Sequence, residues 1–249
     1  MEIVTSVQNR TVKLFRSLSE KKFREREGLF PVEGGNISKD IPPSAKVRFV
    51  LAVPERLGEA EERFPEAQVI AVAGEVMKSV SGTVTPYGLA AAVELPRYTF
   101  APPSGNALLL DGVSDPGNLG TIIRTAAATG FNDVYLLDCA DAYAPKAVRA
   151  SMGGIFRVRA CEVTEEEAVR LASDTRSAAL DMGGKDIFSF PVPSPCLLVA
   201  GSEAHGVRQS VFRAVKEVRA LPMTGGMESL NVAVAAGIAM YTTFSLSIK

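Results

Sequence analysis

The chain reads as an α/β protein, a parallel sheet covered on both faces and preceded by a small α/β or α+β unit. Three observations predict this. From residue 106 onward short apolar runs alternate with helical stretches, the pattern of buried parallel strands joined by crossover helices. With 249 residues, 47% hydrophobic and 22% charged, the chain can bury a sizeable core as one large domain or two ordinary ones. The segment LPRYTFAPPSGN, 95–106, then breaks the pattern: Pro96, Pro102 and Pro103 with Ser104-Gly105 mark a linker rather than an element interior. The expected division is therefore 1–96, a linker over 97–105, and 106–249.

In the first unit VRFVLAV and AQVIAVA flank a charged helical stretch at 55–64, and GLAAAVEL follows. Its charge is uneven. Residues 10–26 carry Arg10, Lys13, Arg16, Lys21, Lys22, Arg24 and Arg26 against only Glu20 and Glu25, whereas 55–66 is acidic. The basic stretch is either a solvated helix face or a surface that displaces counterions from a polyanion. The net charge of −1 gives no global basic field to decide between them.

After the linker ALLLDGV is followed by a helix, DVYLLD by a helix from Pro145, FRVRACEV by the helical EEEAVRLASDT, SAALDM by CLLVAGSE, then a helix near 208–216, VRALPM and a long final helix. Cys139, Cys161 and Cys196 are scattered, which reads as a reducing compartment with neither zinc site nor disulfide frame. The start MEIVTSVQNR has no signal-peptide core, and VAVAAGIAMY falls far short of the roughly 18 apolar residues of a membrane span. A soluble, cytoplasmic protein is expected.

The stretch DGVSDPGNLGTIIRTAAATGF, 111–131, is a helix with both ends marked. Asp115 can cap the first amides, Pro116 fits the first helical position, and Gly130 is placed as the stop. Leu119, Ile122, Ile123, Ala126 and Ala127 form one apolar stripe. Arg124 falls about 130° from its centre at roughly 100° per residue. Asn118 lies in the first turn, where free amides favour an anion. A dinucleotide cradle needs G-x-G-x-x-G, but Gly112, Gly117 and Gly120 give G-x₄-G-x-x-G, although Asp138 sits at a plausible distance for a ribose-binding acid. Phosphate cradle and plain capped helix both stay open here.

Two later stretches carry similar features. In LLVAGSEAHGV, 197–207, a buried strand ends in a turn with Gly201, Ser202, Glu203 and Gly206. In LPMTGGMESLNVAVAAGIAMYTTF, 221–244, a strand end leads through Gly225-Gly226 into a helix expected to start at Ser229, with Asn231 in its first turn. His205, the one histidine, stands between Ala204 and Gly206 and is a weaker candidate base than its pKa alone would make it.

Together DPGNLGTIIRTAAATG, GSEAHG and LPMTGGMESLNVAVA, in that order, resemble the SpoU (TrmH-type) RNA ribose 2′-O-methyltransferases of the SPOUT superfamily; APKAVRASMGGIFRV is similar to the same family. NRTVKLFRSLSEKKFREREGLFPVEG and VTPYGLAAAV resemble the family's L30e-like substrate-binding domain, so the likeness covers nearly the whole chain. The resemblance implies a parallel sheet with a trefoil knot, S-adenosylmethionine as cofactor, no metal, a homodimer, and methyl transfer to a ribose 2′-hydroxyl of structured RNA. A ribosomal (23S) target is favoured over tRNA. It places cofactor contacts on Gly201, Leu221, Met223 and Leu230, and polar active-site positions on Arg124, Asn118, Glu203, Ser229 and Asn231. The basic stretch then reads as RNA contact. Ala204 departs from the family's usual glycine. Two other classes remain as alternatives, a nucleotide-dependent oxidoreductase and a catalytically silent RNA-binding relative.

Overall fold

Apolar alternation in the first part of the chain produces a four-stranded sheet flanked by short helices. The computed structural model describes residues 2–34, 37–202, 204–224, 226 and 229–247. Along this part run α1 (Arg10–Ser17), α2 (Lys21–Glu27), β1 (Leu29–Glu33), α3 (Ile37–Asp40), β2 (Val47–Ala52), α4 (Leu57–Arg63), β3 (Gln68–Ala71), α5 (Gly74–Val80) and β4 (Leu89–Glu94). The strand order is β1-β4-β2-β3, with only β2 and β3 parallel. Strand β1 is absent from the apolar runs read in the sequence because LFPVE is short and carries Pro31. As an edge strand it tolerates a residue that cannot donate to a ladder.

Residues 95–103 have no regular structure, and the chain then enters a six-stranded sheet. Its elements are β5 (Asn106–Asp111), α6 (Pro116–Thr129), β6 (Phe131–Leu137), α7 (Pro145–Ser151), β7 (Arg159–Glu162), α8 (Glu165–Asp174), β8 (Ser177–Asp186), β9 (Leu197–Gly201), α9 (Gln209–Ala214), β10 (Glu217–Ala220) and α10 (Val232–Ser247). All pairings are parallel in the order β10-β8-β9-β5-β6-β7. Both faces are covered, as expected. Leu108 and Leu110 of β5 pack with α6 and α10, while Ala107 and Leu109 pack with α8 and α9. Each fully buried leucine of this central strand contributes about 1.5–3 kcal/mol, which fixes β5 as the axis of the layer. Among the described residues no helix is long and apolar enough to cross a membrane.

The two sheets share a core. Phe30 of β1 lies edge-on to Tyr143, with ring centroids 5.1 Å apart, and 5.8 Å from Phe156. Charge closes the rest of the seam. Arg24, 2% exposed, donates from Nη1 to the Leu18 carbonyl at 2.7 Å and pairs with Asp141, whose other oxygen accepts from the Tyr143 amide at 2.7 Å. Lys21 pairs with Glu162 at 2.6 Å, and Arg149 of α7 pairs with Glu33 of β1. This corrects the reading of 10–26 as one RNA surface. Arg24 is buried and held by Asp141, a partner it needs because a desolvated guanidinium without its carboxylate would cost about 3–5 kcal/mol, and Lys21 is engaged across the seam.

Candidate active site

The helix predicted from 111–131 forms with its expected ends. Asp115 caps α6 by accepting from the Asn118 amide at 2.9 Å, and Gly130 closes the helix at φ 74°. Lys146 of α7 donates to the other Asp115 oxygen at 2.6 Å, and this bond, with the Asn118 amide second, holds the Asp115 carboxyl below its usual range. The glycines of the segment serve packing. A Cβ on Gly120 would stand 2.4 Å from the Ala147 carbonyl oxygen and 2.6 Å from the Ala150 Cβ, so this glycine lets α7 lie against α6. Asp138, the would-be ribose acid, is paired with Arg208 at 2.7 Å. No side of this turn is built as a dinucleotide cradle.

The final helix begins later than the sequence indicated, at Val232 rather than Ser229. Asn231, not Ser229, is its cap: Oδ1 accepts from the amides of Ala233 at 2.9 Å and Val234 at 3.3 Å. Asparagine is among the best N-caps, which the glycine-rich approach to this helix concealed. Asn231 Nδ2 in turn donates to Asn118 Oδ1 at 3.1 Å. The amide-rich N-termini of α6 and α10 are thereby held side by side, an electropositive corner suited to an anion.

Beside this corner opens a cavity of about 330 Å³. Gly201, Leu221, Met223, Ser229 and Leu230 all line it. Sequence reasoning missed the opposite wall, Leu180, Asp181 and Met182. They are there because β8 leaves its register: Ala179 pairs with Val218, but Arg219 next pairs with Lys185, so residues 180–184 bulge out of the ladder. The two glycines that follow Met182, Gly183-Gly184, were the available signal. A Cβ on Gly201 would lie 2.0 Å from the Gly206 carbonyl carbon and 2.2 Å from the Val207 nitrogen. The turn after β9 thus folds back onto the backbone of Gly201 itself.

Arg124 is not part of this lining. It is exposed on α6 and enters no ion pair among the described residues, roughly 9 Å along the helix from Asn118 at 1.5 Å per residue. Glu203 lies outside the described residues. Arg10, Lys13 and Arg16 are exposed on or beside α1, while Lys22 pairs with Glu20 at 2.9 Å and Arg26 with Glu27 at 2.7 Å. Among the described residues no cluster of three or more His, Cys, Asp or Glu is arranged to hold a metal. Burial pushes the Cys139 and Cys196 thiols up to about 11, which keeps them inert at neutral pH.

A mostly apolar cavity at the strand ends, beside the paired N-termini of α6 and α10, is a concave site suited to a small molecule with an apolar face. Comparison with known proteins makes this specific. Residues 105–241 match the SpoU rRNA Methylase family, and residues 9–91 match the MRM3-like substrate binding domain. The chain is 30% identical over 253 residues to the 23S rRNA (guanosine(2553)-2′-O)-methyltransferase RlmP of Bacillus subtilis, covering 97% of this chain and 98% of that one. Among solved structures, an AdoMet-bound rRNA methyltransferase from Sinorhizobium meliloti superposes with a TM-score of 0.87 at 27% identity, covering 98% of each chain. The SpoU methyltransferase AviRb from Streptomyces viridochromogenes, in complex with AdoMet, does so with 0.85 at 28% identity over 97% of this chain and 99% of that one. The chain belongs to the SpoU rRNA methylase family.

Proposed function

We propose that this protein methylates a ribose 2′-hydroxyl of ribosomal RNA, with 23S rRNA as the target molecule. The carrying observation is the cavity lined by Gly201, Leu221, Met223 and Leu230 beside the Asn118–Asn231 bond. The fit to S-adenosylmethionine is chemical. Leu221, Met223 and Leu230 offer apolar surface for an adenine, and the bare Gly201 lets the Gly206-Val207 backbone close down as part of the cavity wall. When bound, the cofactor supplies an activated methyl group. The protein's own work is alignment of the hydroxyl. In this reading Asn118 and Asn231 orient the ribose, Ser229 and Glu203 act as further polar active-site residues, and Arg124 clamps the adjoining phosphate and stabilises negative charge developing on O2′. A guanidinium stays protonated at physiological pH, so Arg124 acts as an electrophilic clamp and not as the base.

Methyl incorporation from labelled cofactor into rRNA and tRNA pools lacking 2′-O-methylation tests this. Label in the rRNA pool, mapped to a ribose, is the expected result. Label confined to tRNA would replace the substrate, and no label in either pool would overturn the activity.

Relatives named for 23S rRNA support the rRNA choice, and the second domain supplies the RNA footing. With Arg24 and Lys21 assigned to the seam, that footing rests on Arg10, Lys13 and Arg16. Lys13→Ala with Arg16→Ala should weaken rRNA binding and lower the slope of log affinity against log salt by about 2, with cofactor affinity unchanged; filter binding across a salt series reads it. An unchanged slope would move the contact elsewhere.

The family reading includes a homodimer, a trefoil knot and work in the cytoplasm where rRNA is found, with the second domain as 1–96 and the catalytic domain as 106–249. What supports a dimer is an apolar groove along α6 and α10 whose wall leaves Phe188 60%, Tyr241 53% and Val234 50% exposed. Thr121, about one turn before Arg124, and Thr125, the residue after it, line this groove, so a second copy seated there would stand beside Arg124. Light scattering should give twice the 26.4 kDa chain mass, and a monomer at working concentration would remove the dimer. For the knot, single-molecule extension from both ends should stop short of the full contour length.

A further inference from the structure

The turn that walls the cofactor cavity ends on one guanidinium. Arg208, which caps α9, donates its backbone amide to Asp111 Oδ2 at 2.7 Å and its Nε and Nη2 to Asp111 Oδ1 at 3.0 and 2.8 Å. Its Nη2 also reaches Asp138 Oδ2 at 2.7 Å, and its Nη1 reaches Glu165 Oε2 at 3.1 Å. Asp111 is the buried last residue of β5, Asp138 follows β6, and Glu165 opens α8. One side chain therefore ties the ends of two neighbouring strands to the starts of two helices.

The same strand end supports the cavity turn from the other side. Gly112, next to Asp111, lies against Ser202, with the position of an added Cβ 3.7 Å from the Ser202 Cβ. Ser202 then closes the turn on itself: its carbonyl accepts from the Gly206 amide at 2.9 Å and its Oγ from the His205 amide at 3.3 Å. Ser202 and Gly206 both line the cavity. Arg208 thus grips the exit of a turn whose start is Gly201.

The fork is more than a stability device. The Asp138 and Glu165 side chains are 74% and 52% exposed, and pairs that open to water contribute only about 0–1 kcal/mol to stability. Asp138 itself sits at φ 50°, a left-handed conformation that aspartate adopts more readily than most non-glycine residues. What the planar fork provides is geometry: it fixes three carboxylates, and with them the turn, before any ligand arrives.

We propose that Arg208 is a positioning residue that presets the cofactor turn, so that its loss is read as weakened S-adenosylmethionine binding rather than slower chemistry. The inference rests on the cofactor reading of the cavity and is independent of which RNA is methylated. It predicts that Arg208→Met raises the Kd and KM for S-adenosylmethionine at least about tenfold, with kcat at saturating cofactor within about threefold and the KM for rRNA unchanged. Arg208→Lys should recover part of the affinity, since an ammonium can neutralise Asp111 but cannot fork. Because Arg208→Met strands a buried carboxylate, the double variant Asp138→Asn with Glu165→Gln provides a milder cut on exposed residues; its Kd should rise about threefold. Calorimetric titration of cofactor, with melting temperature alongside, reads all three. A lowered melting temperature with cofactor affinity within about twofold of wild type, in the double variant and in any folded Arg208 variant, would overturn the proposal. Wild-type protein that binds cofactor but labels no rRNA would sink only the substrate assignment, whereas wild type that binds no cofactor would overturn both.

Discussion

Replacing Arg124 by alanine is expected to lower methyl transfer to rRNA by about 10²–10³-fold, the usual cost of removing one preorganised donor from a developing oxyanion. The cofactor Kd should stay within about twofold, because the side chain does not line the cavity. Its placement supports this split. Arg124 is exposed on a helix whose opposite stripe, Leu119, Ile122, Ile123 and Ala126, is fully buried, so the guanidinium is carried on a rigid element. The helix is pinned at its start by Asp115 and Lys146, and α7 packs against it where Gly120 meets the Ala147 carbonyl. Arg124→Lys retains charge without the two-pronged geometry and should fall between the two. Single-turnover transfer and cofactor titration on the same preparations check this. Equal losses of rate and cofactor affinity would make Arg124 a structural residue, and full activity in Arg124→Ala would place the clamp elsewhere.

Much of this was legible in the sequence because the relevant signals are local. Strand β5, helix α6 and the cap at Asp115 follow from apolar periodicity and from Asp-Pro and Gly at the right offsets, and they form as read. The family motifs likewise located four residues that converge on one cavity although they are spread over 201–230. What escaped depends on tertiary partners. A basic residue in a basic helix gives no sign that it will be buried, yet Arg24 is claimed by Asp141, 117 positions further on. The wall formed by Leu180, Asp181 and Met182 comes from a register shift against β10, which no single strand's pattern encodes. Arg208 looked like the edge of a helix, because its three carboxylate partners come from separate elements. Local propensity thus drew the scaffold, and charge pairing across sequence distance decided which cations of 10–26 are buried or tied to a carboxylate.

Gly201→Ala should abolish measurable cofactor binding, raising the Kd by about 100-fold or more, which corresponds to about 2.7 kcal/mol. The cause is geometric. An added Cβ would lie 2.0 Å from the Gly206 carbonyl carbon, 2.1 Å from its oxygen and 2.2 Å from the Val207 nitrogen, and all three are backbone atoms that cannot swing aside. The turn must lift away from β9, carrying Ser202 and Gly206, two walls of the cavity, with it. Global stability should fall by about 1–3 kcal/mol, leaving the protein folded, because the overpacking is confined to a turn at the sheet's end. Gly206→Ala is the matched control. That glycine has φ 64° but nothing within 4 Å of its added Cβ, so the substitution meets only conformational strain of about 1–2 kcal/mol. It should weaken cofactor binding by less than Gly201→Ala does. Calorimetric titration of both variants, with thermal melts to confirm folding, separates the two effects. If Gly201→Ala binds cofactor as the wild type does, the turn can rebuild its wall without the close crossing. If the two variants lose affinity equally, backbone strain rather than the crossing governs the site. A large loss in Gly201→Ala alone would show that cofactor affinity depends on one chain segment lying directly on the bare backbone of another, which only glycine at 201 permits.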